Sequence, residues 1–204
     1  MRIGIDLDNT IVCYDDLFHR VAVRRGLIPG DLATDKQAVR DFLRAAGRND
    51  DWTELQGLVY GEAMSEAKPY VGVAEFFAEA LRNDSTIFVI SHRTQHPYLG
   101  PRHDLHAAAR AWLAANGLTG SSQVGLPEAN VFLEVLLDGK LQRIAQQRCD
   151  VFIDDLPELL LHPGFPAEVD RVCFDPANRC IEADLQRVAA WSELTARWFG
   201  GEDA

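Results

Sequence analysis

The sequence predicts an α/β fold, in which a Rossmann-like, doubly wound parallel sheet carries a small inserted all-helical cap. Two observations predict this architecture. Short apolar segments of strand length alternate with segments of helical periodicity, which is typical of parallel sheets covered by helices. In addition, a long and mostly helical stretch follows the first apolar segment, and the sheet has no other place for it.

The predicted strands are short, apolar and rich in β-branched residues. Segments of this kind favour strands that are buried on both faces of a sheet. Five such segments cover Arg2–Leu7, Thr86–Ile90, Asn130–Val135, Val151–Ile153 and Arg171–Phe174.

The helices predicted for the core have apolar side chains at helical spacing. In the last of them, Leu185, Val188, Ala189 and Trp191 share one face. Gly117 is the expected C-terminal cap of the helix that precedes it. The predicted core helices cover Val73–Arg82, His103–Asn116, Asp138–Arg148 and Glu182–Trp198.

The predicted cap covers residues 12–68, and the predicted core covers residues 1–11 and 69–204. Breaks near Leu27–Gly30 and Gly47–Asp50 divide the cap into helices, because glycine and proline interrupt helical structure. The second break precedes an amphipathic pattern. That pattern consists of Trp52, Leu55, Leu58 and Val59.

The formal net charge is −11, from 20 basic and 31 acidic residues. A nucleic-acid partner is therefore not expected, since binding phosphates requires a basic face. No apolar run approaches the roughly 20 residues that cross a bilayer, so no membrane partner is expected either. The four cysteines show no CxxC spacing and the first residues show no signal-peptide pattern, so we expect a cytoplasmic protein. Whether it is a monomer or a homodimer stays open.

Polar clusters follow three of the predicted strands directly. They are Ile5–Thr10, Ile90–Arg93 and Ile153–Asp155. In open parallel sheets, ligands bind beyond the carboxyl ends of the strands, so these clusters should meet at one edge. Carboxylates gathered in this way need a cation, because like charges raise each other's pKa. Oxygen ligands of this kind suit Mg²⁺, and the predicted ligands are Asp6, Asp8, Asp154 and Asp155.

The motif Asp6-Leu7-Asp8-Asn9-Thr10, together with Ser91, Lys140 and Asp154-Asp155, resembles the four motifs of the haloacid dehalogenase (HAD) superfamily, in the same order. The resemblance covers the chain from Met1 to about Asp175. It implies a HAD-like core with a helical C1-type cap, and the spacing is similar to that of the 5′(3′)-deoxyribonucleotidase-like branch.

The resemblance implies a role for each matching residue. Asp6 would attack phosphorus and form an aspartyl-phosphate, and Asp8 would act first as an acid and then as a base. Thr10 would fix the loop of Asp8, Ser91 would bind a phosphate oxygen, and Lys140 would neutralise charge on the phosphoryl group. Magnesium would be held by Asp6, the main-chain carbonyl of Asp8 and Asp154, while Asp155 would contact metal-bound water or orient Lys140.

Two details sharpen these assignments. Asp8 favours phosphate chemistry over dehalogenation, because cleavage of a carbon–halogen bond needs no protonated leaving alcohol. The chain has three lysines, of which Lys140 lies 14 residues before Asp154, and Lys68 is the reserve candidate. Lys36 falls in the predicted cap.

Four histidines lie close together after the second strand, and their role stays open. A structural zinc site, a contribution to the mouth of the pocket together with Arg93 and Arg102, and an ordinary surface position are the alternatives. Of these residues, His92 and Arg93 are predicted to bind substrate, as is Thr10. The four histidines are His92, His96, His103 and His106.

The sequence therefore predicts a Mg²⁺-dependent phosphomonoester hydrolase that acts on a small phosphorylated metabolite, either a nucleoside monophosphate or a sugar phosphate. A phosphotransferase or phosphomutase that uses the same phosphoenzyme is one alternative. A non-catalytic protein that binds metal and phosphate is another. No Walker-type, GxGxxG or GxSxG motif competes with these interpretations.

Overall fold

The computed structural model describes residues 1–120 and 125–200. Among these residues, no helix combines the length and the apolar character that crossing a membrane requires. The elements in chain order are β1 (Arg2–Ile5), β2 (Val12–Cys13), α1 (Asp15–Arg24), α2 (Lys36–Ala45), α3 (Asn49–Tyr60), β3 (Lys68–Pro69), α4 (Val73–Arg82), β4 (Thr86–His92), α5 (Leu105–Ala115), β5 (Val131–Glu134), α6 (Leu137–Gln146), β6 (Val151–Asp154), α7 (Pro157–Leu160), β7 (Asp170–Phe174), β8 (Gln186–Val188) and α8 (Trp191–Phe199).

Six strands form one sheet in the order β5-β4-β1-β6-β7-β8, and every neighbouring pair is parallel. Successive side chains of β4 enter different apolar clusters: Val89 belongs to one and Ile90 to the other. Because side chains alternate along a strand, the two clusters lie on opposite faces of the sheet. Both faces are therefore buried, and the predicted α/β fold class is confirmed.

The register of the three central strands brings their carboxyl ends to one edge. Ile5 of β1 is level with Val89 of β4 and with Ile153 of β6. The backbone of Asp6 extends this pairing, because its N–H donates to the Ile153 carbonyl at 2.9 Å. Residues that follow β1 and β6 are thus neighbours in space, although they are far apart in the sequence.

The end of the chain differs from its prediction. The predicted helix Glu182–Trp198 is wrong in its first half, because Gln186–Val188 forms β8 and the helix begins at Trp191. β8 pairs with the edge of β7, with Phe174 level with Val188. Leu185 and Val188 enter the two different apolar clusters, so burial on both faces of the sheet outweighs helical spacing here.

Two short strands flank the helices near the start of the chain: β2 precedes these helices and β3 follows them. The two strands are antiparallel and pair Val12 with Pro69 and Cys13 with Lys68. Residues 14–67 between them, here called the helical insert, contain α1, α2, α3 and a 3-10 helix at Glu62–Glu66. The division into a core and a cap stays a prediction.

The helical insert packs closely on the loop that follows β4. A Cβ atom added to Gly57 of α3 would lie 2.7 Å from Cβ of Pro97, and one added to Gly61 would lie 2.7 Å from Cβ of His103. Only glycine permits such an approach at these two positions. The insert is thereby held over the carboxyl edge of the sheet.

Candidate active site

Three carboxylates meet at the carboxyl edge of the central strands. Asp6 follows β1, Asp154 ends β6 and Asp155 comes directly after it. One ligand oxygen from each lies within 4.8 Å of the other two. Asp6 is 5% exposed and Asp154 is fully buried. The structure thus brings together three of the predicted metal ligands.

Lys140 reaches this cluster from α6. Its Nζ donates to Oδ1 of Asp6 and to Oδ2 of Asp154, each at 2.6 Å, and the side chain is almost fully buried. Lys68, the reserve candidate, is exposed on β3. The structure therefore places the lysine that the motif order indicates, and not the alternative, against the predicted nucleophile.

Burial and repulsion dominate the electrostatics of this cluster. Burial raises the pKa of Asp6 to about 7, against the opposing effect of Lys140 and with the help of Asp154 and Asp8. The pKa of Asp155 lies well above its usual range, because of burial and the charges of Asp154 and Asp6. Burial opposes the charge of Lys140, but Asp154 and Asp6 outweigh it and raise its pKa. The site is short of positive charge.

The donor set fits a divalent cation. Three carboxylates face a single ammonium, and the excess negative charge lies where water is largely excluded. Mg²⁺ takes oxygen ligands and keeps several waters, so Asp6, Asp154 and Asp155 can hold it without further side chains. The orientation of the main-chain carbonyl of Asp8 toward this position stays a prediction.

Asp8 does not belong to the three-carboxylate cluster, and its side chain contacts Arg93. Oδ1 of Asp8 accepts a hydrogen bond from Nη2 of Arg93 at 2.5 Å, and Arg93 is 4% exposed. The same guanidinium donates to the hydroxyl of Tyr14 at 2.9 Å and to the carbonyl of Leu105 at 3.2 Å. Arg93 therefore holds a carboxylate of the protein, while its predicted contact with substrate stays a prediction.

The loop between β1 and β2 turns sharply at Asn9, whose φ of 57° is left-handed. Nδ2 of Asn9 donates to Oδ2 of Asp155 at 3.3 Å. Thr10 is fully buried, and its carbonyl accepts a hydrogen bond from Nε1 of Trp191 at 3.1 Å. These contacts hold the loop that carries Asp8 through the carbonyl of Thr10, whereas its Oγ1 has no hydrogen-bond partner among the described residues. A role of the Thr10 side chain in fixing this loop stays a prediction.

Ser91 lies near the end of β4 and is 1% exposed. Its Oγ has no hydrogen-bond partner within residues 1–120 and 125–200, although a buried hydroxyl normally has one. A phosphate oxygen would supply that partner. His92, by contrast, is exposed, and its Nε2 donates to the carbonyl of Val135 at 3.1 Å.

Two of the other three histidines are held individually by main-chain carbonyls, whereas Nε2 of His103 is buried and has no hydrogen-bond partner among the described residues. Nδ1 of His96 bonds to the carbonyl of His103 at 2.9 Å, and Nε2 of His106 bonds to the carbonyl of Arg93 at 2.8 Å. Across the described part of the chain, the group of metal-ligand side chains that converges is the aspartate cluster and not these histidines. The bond from His106 supports the backbone that carries Arg93.

A cavity of about 510 Å³ opens beside the carboxylates. Asn9 and Asp155 border it on the side of the sheet, and Lys36 and Trp52 border it on the side of the helical insert. Sequence reasoning missed Lys36, and it also missed Tyr14 as a partner of Arg93. Neither residue belongs to a motif, and only the packing of the insert brings them to the site.

No protein-family model matches this sequence, and neither does any curated protein. Solved structures do match. A HAD-family hydrolase from Deinococcus radiodurans R1, solved with phosphate and sodium, is 14% identical over 96% of this chain and 93% of its own, with a TM-score of 0.60. The HAD-hydrolase YfnB from Bacillus subtilis, solved with magnesium, is 14% identical over 96% of this chain and 97% of its own, with a TM-score of 0.58.

A dehalogenase is also similar: it is 15% identical over 97% of this chain and 96% of its own, with a TM-score of 0.55. The chain therefore has the fold of the HAD-superfamily hydrolases, as its motifs predict. Identities this low establish the fold, and the chemistry has to be argued from the site.

Proposed function

We propose that this protein is a Mg²⁺-dependent phosphomonoester hydrolase that acts on a small phosphorylated metabolite through an aspartyl-phosphate on Asp6. The observation that supports this most is the contact of one buried ammonium, Lys140, with both Asp6 and Asp154. That arrangement holds a carboxylate in a fixed position and supplies positive charge where a phosphoryl group would arrive, as electrostatic catalysis of phosphoryl transfer requires.

In the first step, the oxygen of Asp6 that Lys140 does not hold attacks phosphorus. A bond forms between that oxygen and phosphorus, and the bond from phosphorus to the leaving oxygen breaks. Asp8 donates a proton to the leaving oxygen, so the alcohol departs neutral. Arg93 holds Oδ1 of Asp8, which leaves Oδ2 for the proton transfer. The hydroxyl of Ser91 donates to a phosphoryl oxygen.

In the second step, a water molecule attacks the phosphoryl group on Asp6. Asp8, now a carboxylate, removes the proton from that water. The bond from phosphorus to Asp6 breaks, inorganic phosphate leaves, and both side chains return to their starting state. One carboxyl thus serves as acid and then as base, and Arg93 keeps it in place for both tasks.

When bound, Mg²⁺ would neutralise the phosphoryl oxygens and orient them for in-line attack. Asp6, Asp154 and Asp155 would hold it, with the main-chain carbonyl of Asp8 as a further ligand. Asn9 would steady Asp155 through the hydrogen bond between their side chains.

Two other activities share parts of this site. A phosphotransferase or phosphomutase would use the same phosphoenzyme on Asp6 with a different acceptor, and a non-catalytic protein would bind metal and phosphate without turnover. Dehalogenation needs no acid at position 8, whereas here Arg93 holds Asp8 and is itself bonded to the hydroxyl of Tyr14. The positioning of this acid and base favours hydrolysis of a phosphate ester.

The test is release of phosphate from p-nitrophenyl phosphate, with water as the only acceptor. We expect turnover in Mg²⁺, none in excess EDTA, and none from Asp6→Asn, which keeps the shape of the side chain. Thermal unfolding with and without Mg²⁺ confirms that the variant is folded. Phosphate release from Asp6→Asn at the rate of the parent protein would overturn the proposal.

A further inference from the structure

Helix α2 carries three basic side chains at intervals of four residues: Lys36, Arg40 and Arg44. Residues four apart lie on the same face of a helix, and all three of these border the 510 Å³ cavity. From first to last they extend about 12 Å along the helix axis. Lys36 lies at the end nearer the carboxylates, so the row leads away from the catalytic edge.

Lys36 has an unusual environment for a cation. It is half-buried, and its Nζ lies 5.6 Å and 5.7 Å from the ring centres of Phe18 and Tyr60. Within the described ranges, no carboxylate comes within ion-pair distance of it. Burial opposes its charge, but Tyr60, Asp155 and Asp8 outweigh it and raise its pKa, so it stays an ammonium. Ammonium groups removed from water normally have an anionic partner.

Arg44 is exposed, and it too makes no ion pair in the part of the chain that the structure describes. Arg40 bonds to Asp41 at 2.9 Å, but this pair is solvent-exposed and holds Arg40 weakly. These guanidinium groups can therefore bind an anion that enters the cavity.

The acidic side chains that border the cavity all lie outside α2, and they are Asp15, Asp155, Glu158 and Asp175. Oδ1 of Asp15 accepts from the backbone N–H of Lys36, and the carboxylate of Asp175 accepts from two backbone N–H groups of the loop after β7. Glu158 lies on α7, on the side of the sheet. The wall formed by α2 is positive, in a chain whose net charge is −11.

We propose that this cavity selects a phosphomonoester that carries a second anionic group, either a carboxylate or another phosphate. The reacting phosphoryl group would lie at Asp6, and the second anion would lie against Arg40 and Arg44. Lys36 would contact the part of the substrate between them. The inference rests on the proposed function and adds a substrate class to it. The cavity has the volume of an ordinary small-molecule site.

Matched pairs of compounds test this without knowledge of the natural substrate. Glycerol 3-phosphate and 3-phosphoglycerate differ by one carboxylate, and fructose 6-phosphate and fructose 1,6-bisphosphate differ by one phosphate. Each is measured as a competitive inhibitor of p-nitrophenyl phosphate hydrolysis, so a constant is obtained whether or not the compound is turned over. We expect the more anionic member of at least one pair to bind about tenfold more tightly, as charge-assisted hydrogen bonds from arginine provide.

The double variant Arg40→Gln/Arg44→Gln should bring the ratio of the two inhibition constants in that pair down toward one. Arg82→Gln on α4 is the matched control, because it removes an exposed arginine that is paired with Glu79 and lies outside the cavity, and it should keep the parental ratio. A preference in the first pair identifies a carboxylate as the second anion, and one in the second pair identifies a phosphate.

Failure of the second-anion inference can be distinguished from failure of the proposed function. If p-nitrophenyl phosphate is hydrolysed and both pairs bind within twofold of equality, or if the double variant keeps the ratio, the second-anion inference is overturned and the hydrolase proposal stands. If the parent protein hydrolyses no p-nitrophenyl phosphate, the proposed function fails and the inference fails with it.

Discussion

Two buried cations hold the candidate catalytic carboxylates, and they do so in different ways. Lys140 contacts two carboxylates, Asp6 and Asp154, at equal distances of 2.6 Å. Arg93 contacts one carboxylate, Asp8, and its two terminal nitrogens also donate to neutral groups, which include the hydroxyl of Tyr14. The lysine lies among charges that repel each other, whereas the arginine lies in a set of ordinary hydrogen bonds.

This difference indicates separate tasks. A compact ammonium between two carboxylates offsets their repulsion, and it can also neutralise the negative charge that develops during phosphoryl transfer. A planar guanidinium with several fixed acceptors determines the direction of the carboxylate it holds. We therefore expect Lys140 to matter for the charge of the site and Arg93 for the geometry of Asp8.

Lys140→Ala should reduce phosphate release by about a thousandfold or more, because it removes the cation that contacts the proposed nucleophile, Asp6. The measurement is the initial rate with p-nitrophenyl phosphate at saturating Mg²⁺, together with circular dichroism to confirm folding. Lys68→Ala, which removes an exposed lysine from β3, is the control and should behave like the parent protein. Near-normal turnover by Lys140→Ala would show that Lys140 does not compensate charge during the reaction.

Arg93→Gln should lower kcat by about 10²-fold, within the range that general acid–base catalysis contributes, with little change in KM. The loss should be larger for an alkyl phosphate than for p-nitrophenyl phosphate, because nitrophenolate departs without a proton. Arg93→Lys should recover part of the rate, since it restores the charge without the planar geometry. Equal losses on both substrates would show that Arg93 supports the fold and does not act through Asp8.

Metal-free protein should lose stability as the pH rises from about 4 to about 7. Burial raises the pKa of Asp6 in the folded state from 3.8 to about 7, so the folded protein holds a proton there that the unfolded chain releases. Stability is greatest below the unfolded value and falls as the pH approaches the folded one. Thermal unfolding in EDTA across this range measures the effect.

Asp155→Asn sharpens this test. It removes one of the repelling charges around Asp6 and Asp154, so the metal-free variant should unfold about 2–4 °C above the parent at neutral pH for each kcal/mol of relief. It should also lose most of the stabilisation that Mg²⁺ gives. A variant that unfolds below the parent in EDTA and keeps the full Mg²⁺ shift would show that Asp155 is not part of the metal site.

Tyr14→Phe should have the smallest effect. It removes one acceptor of the Arg93 guanidinium and leaves the bond to Asp8 in place. We expect a loss of about 1 kcal/mol in unfolding free energy, as for a single hydrogen bond, and a fall in kcat of a few fold. Urea unfolding and steady-state kinetics measure the two. A loss of kcat as large as that of Arg93→Gln would mean that Tyr14 itself orients Asp8.

The sequence predicted the part of the site that strand register controls. Asp6, Asp154 and Asp155 follow apolar strands, and parallel strands in register must bring their carboxyl ends together. Lys140 was identified by motif order and by the scarcity of lysines. In each case a local sequence pattern identifies the residue, and the arrangement of the strands and helices then brings its side chain to the site.

The parts that depend on packing between distant elements were not predicted. The direction of Arg93 follows from acceptors that three different segments supply, and nothing beside it in the sequence indicates that it turns to Asp8. Lys36 reaches the cavity because the helical insert docks through Gly57 and Gly61. β8 forms because the edge of β7 offers pairing and burial that a helix at that position would not receive.

A phosphoryl group on Asp6 is the intermediate that defines the proposed mechanism, and it can be sought directly. With p-nitrophenyl phosphate, whose leaving group needs no proton, Asp8→Asn should slow mainly the second step, since it removes the base that activates water, so the phosphoenzyme should accumulate. Protein quenched in acid during turnover is digested and analysed by mass spectrometry. We expect one phosphoryl group, on the peptide that contains Asp6, in the presence of Mg²⁺ and none in EDTA. Turnover with no phosphorylated peptide, or with the phosphoryl group on another residue, would contradict it.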